Sequence, residues 1–511
     1  MQRSQPSWSR WAALLAAAPL LVLAAGACAQ EADENPLTGA EVGGEGGNHP
    51  RGSNADGRGP APADDLDALV RAALRDVGDY WTETYPEVYD GPFEPLAGGF
   101  FPYGPNTDPP PCGPVPLSYE EIAGNAFYCP SDDLIAWDEV NLIPQVNEAF
   151  GAFTVGIVFA HEFAHAIQVR AHVAGRTIDL ELQADCYAGA WTQDIAAGGS
   201  DVFEVTDREL DSAVAGMVAI RDAPGITEAN PTAHGSAFDR IGAFQDGYEN
   251  GPAQCAAYED APRQTVAIPF NRNELLTENP GNLAAGDSGP ACADDLDEQV
   301  ISGQFDPETD ADEVGDCGLA SLLEADLNVY YDTLFGELGE SWTPIGDLVL
   351  VDPATDDVAC GGEILSGDEL AGAAVFCEDE NVVVIDGAGL TADLYRRIGD
   401  FAFGAEVARL WAIAAQARLG LDTRGEEQSL QADCMTGLYA RSLFPEVSAG
   451  EPDSQLLQIS PGDLDEGIQG FLAVADTLSN GGTTVFERTD ALRTGVVEGL
   501  EGCERDYGEL G

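Results

Sequence analysis

The chain has 511 residues, 44% of them hydrophobic, which is enough for two domains of ordinary size. Its formal net charge is −68, with 90 acidic side chains against 22 basic ones, every one an arginine. Such a surface repels a phosphate backbone and argues against nucleic acid as a partner. It stays hydrated where salt screens its self-repulsion, which points to a salt-loving or salt-tolerant source.

At the N-terminus, Arg3 and Arg10 precede an apolar run from Trp11 to Ala27 that Pro19 interrupts. Residues 1–27 therefore read as a signal peptide, and the protein as exported. AGAC at 25–28 resembles a bacterial lipobox, which makes Cys28 the expected lipidation site and the only route to a membrane. The competing reading is ordinary cleavage after Ala27 or Ala29 and a secreted product. Residues 28–63 are rich in Gly, Pro, Asn, Asp and Glu without apolar periodicity. They cannot bury enough surface to fold and read as a tether.

A first domain is expected over 64–262. It contains HEFAH at 161–165, the H-E-x-x-H pattern. On a helix, His161 and His165 share a face and can reach one ion. Zinc suits imidazole, and a catalytic site uses three protein ligands and leaves one position open. Glu162 can take a proton from water at that position. Glu181 and Asp185 are again four apart, flanked by Leu180, Leu182, Ala184 and Ala188. A buried carboxylate needs a partner. Glu181 can complete a His, His, Glu set, and Asp185 can accept a hydrogen bond from a ligating imidazole.

Four segments, NAFYCPSDDLIAWDE (125–139), HEFAHAIQ (161–168), LELQADCYAGAW (180–191) and AHGSAFDRIGAFQDGYENG (233–251), together resemble the neutral zinc metallopeptidases of bacteria. The resemblance spans about residues 64–258. It implies a zincin fold, a Zn2+ cofactor held by His161, His165 and Glu181, Glu162 as general base, and a peptide or protein substrate of undefined identity. It also implies that a distant histidine, here His234, hydrogen-bonds a developing oxyanion; the plainer reading of His234 is a turn residue. His49 falls in the tether, and His172 is expected near the helix end or at the surface.

The same framework returns 248 positions downstream in damaged form. GIVFAHEFAHAIQVR (156–170) becomes GAEVARLWAIAAQAR (404–418), and ELQADC (181–186) becomes SLQADC (429–434). Arg409, Leu410, Ile413 and Ser429 replace His161, Glu162, His165 and Glu181, while Gln416, Asp433 and Cys434 keep the types of Gln168, Asp185 and Cys186. Asp185 is thus expected to be partly structural. A second domain over 316–507 reads as a degenerate copy without zinc ligands.

Of 11 cysteines, Cys28 is set aside, and the remaining ten pair most simply as Cys112–Cys129, Cys186–Cys255, Cys292–Cys317, Cys360–Cys377 and Cys434–Cys503. Disulfides imply an oxidising compartment. A polar, Gly/Pro/Asp-rich connector is expected over 263–315; within it DPETDADEVGD (306–316) superficially suggests a calcium loop but lacks the required Gly and Glu and is discounted. Helices are expected at 150–172, 182–196 and 404–419, and strands at 133–139, 348–351 and 382–385. The fold class is α+β, helix-dominated, as tandem zincin-like domains. The expected function is zinc-dependent peptide hydrolysis. The rival reading is an envelope binding or assembly protein in which both modules are scaffolds. Oligomeric state is not legible.

Overall fold

A computed structural model describes residues 65–223, 233–268, 319–444, 457–475 and 482–510. The expected signal peptide, the tether with Cys28 and His49, most of the connector, and Cys292 and Cys317 lie outside the described residues.

The first helix is α1 (Leu66–Val88). Asp65 caps it by accepting the Ala68 N–H at 3.0 Å. Leu69, Val70, Ala73, Leu74, Val77 and Trp81 recur at three- and four-residue spacing and form its buried stripe. Next come β1 (Gly99–Tyr103), the one-turn helix α2 (Tyr119–Ile122), β2 (Ala126–Cys129) and β3 (Leu134–Asp138). The sheet order is β1-β3-β2, with β1 parallel and β2 antiparallel to β3. AFYC and LIAWD are buried on both faces, which is why they read as continuous apolar runs.

Helix α3 (Leu142–Ala171) is two helices joined at Gly151, whose φ of 86° is a conformation that favours glycine. The part after Gly151 is the helix expected at 150–172. By length and composition α3 as a whole is apolar enough to cross a membrane, and 72% of its most apolar window is buried, as suits a core helix. His172 (φ 60°) ends it, and α4 (Thr177–Ala196) turns back against it, starting earlier than the 182 expected. Helices α5 (Asp207–Ala219), α6 (Ala237–Asn250) and α7 (Pro252–Ala257) follow.

The second half runs α8 (Leu319–Leu338), β4 (Asp347–Val351), the hairpin β5 (Asp357–Cys360) and β6 (Glu363–Ser366), β7 (Ala374–Cys377), β8 (Val382–Asp386) and α9 (Leu390–Arg397). It continues with α10 (Asp400–Leu419), α11 (Glu426–Ser442), α12 (Asp463–Val474), α13 (Val485–Glu498) and α14 (Leu500–Tyr507). Its sheet, β4-β8-β7, repeats the parallel and antiparallel pairings of the first. The register repeats too: Gly99 opposite Leu134 recurs as Asp347 opposite Val382. The expected strands at 133–139, 348–351 and 382–385 all form, and the class is α+β with helices dominant.

Two glycines in equivalent places set close helix contacts. A Cβ on Gly247 would lie 1.8 Å from the Cys186 carbonyl oxygen, so α4 and α6 touch backbone to backbone. Gly495 stands in the same relation to Cys434, at 2.0 Å, between α11 and α13. Four of the expected disulfides are present: Cys112–Cys129, Cys186–Cys255, Cys360–Cys377 and Cys434–Cys503.

The halves meet through α5 and α6 on one side and α12 and α13 on the other. There Arg493 donates to Gln245 Oε1 at 3.3 Å, two positions related by the 248-residue offset. Gln245 in turn donates to the Phe486 carbonyl at 2.9 Å. The halves thus touch at positions that the offset makes equivalent.

Candidate metal centre

Helices α3 and α4 pack side by side, and their facing stripes carry the candidate ligands. His161 Nε2 lies 3.2 Å from Glu181 Oε2, His165 Nε2 lies 3.6 Å from Glu181 Oε1, and the two Nε2 atoms are 3.2 Å apart. The structure therefore brings together the three residues that the sequence nominated.

The other ring nitrogens say what those three atoms face. His161 Nδ1 is 2.8 Å from Asp185 Oδ1, a carboxylate that can only accept, so Nδ1 carries the proton. His165 Nδ1 is 3.0 Å from Gln168 Oε1. Gln168 is oriented by its own amide, which donates to the Leu180 carbonyl at 2.6 Å and to Gln183 Oε1 at 3.0 Å. Both Nε2 atoms thus present lone pairs to each other and to a carboxylate. Three acceptors converge with no proton assigned between them, an arrangement that a cation relieves. Tetrahedral zinc at about 2.0–2.1 Å from each donor spaces its ligands roughly 3.3 Å apart, close to the separations here. The donor set fits zinc.

The electrostatics agree. Burial would lower the His161 pKa, but the carboxylates of Asp185 and Glu181 outweigh it and push it up to about 10. Burial would raise Glu181, but the imidazoles of His165 and His161 hold it well below the usual carboxylate range. Negative charge at this point calls for a positive charge, whether a proton or a metal.

Glu162 sits beside this cluster, within electrostatic reach of His161, His165 and Glu181. It is 8% exposed, and its Oε2 accepts the Tyr128 N–H at 2.8 Å. Tyr128 lies on β2, an outer strand of its sheet, so the sheet edge orients the carboxylate. Burial, only partly offset by the two imidazoles, lifts the Glu162 carboxyl above its ordinary range and makes it a stronger base.

His234 lies outside this cluster of three. It precedes the α6 cap Ser236 by two residues, and its Nδ1 is 3.1 Å from Asp222 Oδ1. The other Asp222 oxygen accepts the backbone N–H groups of His234 and Gly235 at 2.6 and 2.8 Å. The ring contributes to lowering the Glu181 pKa, which places it within electrostatic reach of the cluster. His172 caps α3 and joins no group of candidate ligands among the described residues.

Sequence reasoning missed Arg240. Its guanidinium grips Asp185 through Nε at 2.8 Å and Nη2 at 3.0 Å, and Nη1 donates to the Ile220 carbonyl at 3.0 Å. Asp185 therefore both receives the His161 proton and anchors α6 to α4. The signal lay in the repeat, where FDR at 238–240 returns as FER at 486–488. Gln183 was missed likewise: it links Gln168 to the Cys255 carbonyl and recurs as Gln431.

The second half shows what the framework does without these ligands. Arg488 pairs with Asp433 at 2.9 Å, as Arg240 pairs with Asp185. Arg409, in the place of His161, reaches Asp433 at 3.0 Å and Ser429 Oγ at 2.9 Å. Its guanidinium supplies the positive charge that the first half lacks. Gln416 keeps both amide donations of Gln168, to the Gln428 carbonyl and to Gln431. Its Oε1 is buried and has no partner among the described residues, because Ile413 replaces the imidazole that would donate to it.

Residues 18–258 match the family model described as "Putative neutral zinc metallopeptidase". Two curated relatives are the "Uncharacterized protein Rv2575" of Mycobacterium tuberculosis and the "Uncharacterized protein YpfJ" of Escherichia coli strain K12. The first is 30% identical over 177 residues, which cover 29% of this chain and 59% of the relative. The second is 30% identical over 158 residues, which cover 26% of this chain and 53% of the relative. The chain thus spans little more than half the length of the curated relatives it matches. No solved structure matches it.

Proposed function

We propose that the protein is a zinc-dependent peptidase whose first half carries the reaction, a reading supported by the match of residues 18–258 to the model described as "Putative neutral zinc metallopeptidase". The observation that supports this most is the convergence of the Nε2 atoms of His161 and His165 and the Glu181 carboxylate on one point. His161, His165 and Glu181 would hold the ion. Zinc bound there supplies Lewis acidity toward a scissile carbonyl and toward water.

The chain's own residues do the rest. Glu162, buried and oriented by the Tyr128 N–H, takes the proton of the attacking water and returns it to the leaving amine. Asp185 and Gln168 fix the tautomers of His161 and His165. His234, held by Asp222, is the donor proposed for the developing oxyanion. The second half, with Arg409 in the ligand position, takes no zinc of this kind. The substrate is a peptide or protein, and the protein works outside the cytoplasm, anchored through Cys28 or secreted. Its acidic surface suits high salt.

The test is Glu162→Gln. The variant should keep one zinc per chain and lose cleavage of a peptide library by at least a hundredfold. Full zinc occupancy with no cleavage by the unaltered protein either would favour the rival reading of both halves as scaffolds.

A further inference from the structure

We propose that Asp465, on α12 of the second half, is a positioning residue for the metal centre of the first. The inference rests on the reading of His161, His165 and Glu181 as zinc ligands.

In the first turn of α6 the N–H groups of Ala237, Phe238 and Asp239 precede the ladder, which begins where Arg240 donates to the Ser236 carbonyl. Ser236 takes that of Asp239 at 3.1 Å. Asp465 takes the other two, Ala237 at 3.2 Å and Phe238 at 2.8 Å. A helix start is thus completed by a carboxylate more than two hundred residues away, in an orientation that the helix dipole also favours. The same carboxylate lies 3.4 Å from Arg221 Nε and is almost wholly buried. Arg221 is adjacent to Asp222, which holds His234. Arg240 stands two residues past Phe238 and grips Asp185, which meets His161. One side chain from the second half therefore pins both ends of the segment that supports the centre.

The relation is reciprocal. Asp211, on α5 of the first half, accepts the Phe486 N–H at 2.9 Å at the start of α13, whose cap Thr484 takes Glu487 at 3.1 Å. It also accepts the Val485 N–H. Phe486 is the counterpart of Phe238, and α13 carries Arg488 as α6 carries Arg240. Each half caps the other's helix, but only the helix capped by Asp465 leads to candidate zinc ligands. Asp211 is therefore an internal control, with the same chemistry at the same interface and Arg409 and Ser429 in place of His161 and Glu181 behind it.

The experiment compares Asp465→Ala and Asp211→Ala in the full chain. Zinc affinity is read by competition with a chromophoric chelator, and folding by thermal unfolding. Both variants should lower the unfolding temperature by similar amounts. Only Asp465→Ala should weaken zinc, by roughly three- to tenfold, since Asp465 lies one contact beyond the outer-shell groups whose loss costs about 10–100-fold. If Asp465→Ala does not fold, Asp465→Asn keeps one acceptor oxygen and carries the comparison. Equal zinc affinities in the two variants would overturn the positioning role and leave the metal reading intact. An unaltered protein that binds no zinc would remove the metal reading itself.

Discussion

Arg409 Nε donates to Asp433 Oδ1 at 3.0 Å, from the position that His161 holds against Asp185 in the first half. The pair is buried, and Asp433 has a second arginine, Arg488, behind it. Arg409→Met should destabilise the protein by about 3 kcal/mol, the lower end for breaking a buried ion pair, because Arg488 still neutralises the carboxylate. Denaturant unfolding measures this, and zinc content should not change. A neutral result would mean that Arg409 is dispensable and that the second half tolerates an open site.

Arg240 and Arg488 occupy equivalent places and should fail differently. Arg240→Met leaves Asp185 with His161 alone and should weaken zinc by about 10–100-fold, as loss of an outer-shell partner does. Arg488→Met removes a fully buried guanidinium that lies 3.9 Å over the Phe471 ring. It should lower stability without touching zinc affinity. Chelator competition and unfolding on the same two variants separate the effects.

Stability should rise as the solution is made mildly acidic. Burial pushes Asp211, Asp326 and Asp465 up to about 6 and Glu324 up to about 7. Unfolded, these groups titrate near about 4. Between about pH 4 and 7 the folded state therefore holds more protons than the unfolded chain. Their contribution is fully present below about pH 4 and is lost as pH rises through 6 to 7. At Asp133, Asp138 and Asp222 burial is outweighed by the bonds they accept, and that contribution is lost below about pH 4. Unfolding temperature at fixed high ionic strength should be higher at pH 5 than at pH 8. A flat or rising profile from 5 to 8 would contradict the assignment.

The disulfides should differ with the loops they close. Cys186–Cys255 spans 69 residues and Cys112–Cys129 spans 17. Chain entropy alone gives about 4 kcal/mol for the longer loop and about 3 kcal/mol for the shorter. Replacing both cysteines of the longer bridge by Ala should also loosen the Cys255 carbonyl, to which Gln183 donates at 3.0 Å. Unfolding of the two double variants under identical conditions ranks them.

The amino-acid sequence alone determined the donors and the faces they occupy. Four-residue spacing aligns His161 with His165 and Glu181 with Asp185 on any α-helix, because the period is local and independent of packing. The 248-residue repeat separated ligand positions from framework positions, and it paired four bridges that the structure contains. The strand expected at 382–385 was legible as the apolar run VVVI, and the one expected at 133–139 through its place in the repeat. Other features belong to the tertiary structure. Arg240 meets Asp185 across 55 positions, and Asp465 meets Phe238 across 227. No local period links such residues. Their partnership is decided by helices that pack closely enough, at Gly247 and where the two halves meet, for a buried charge or a bare helix end to find a counterpart.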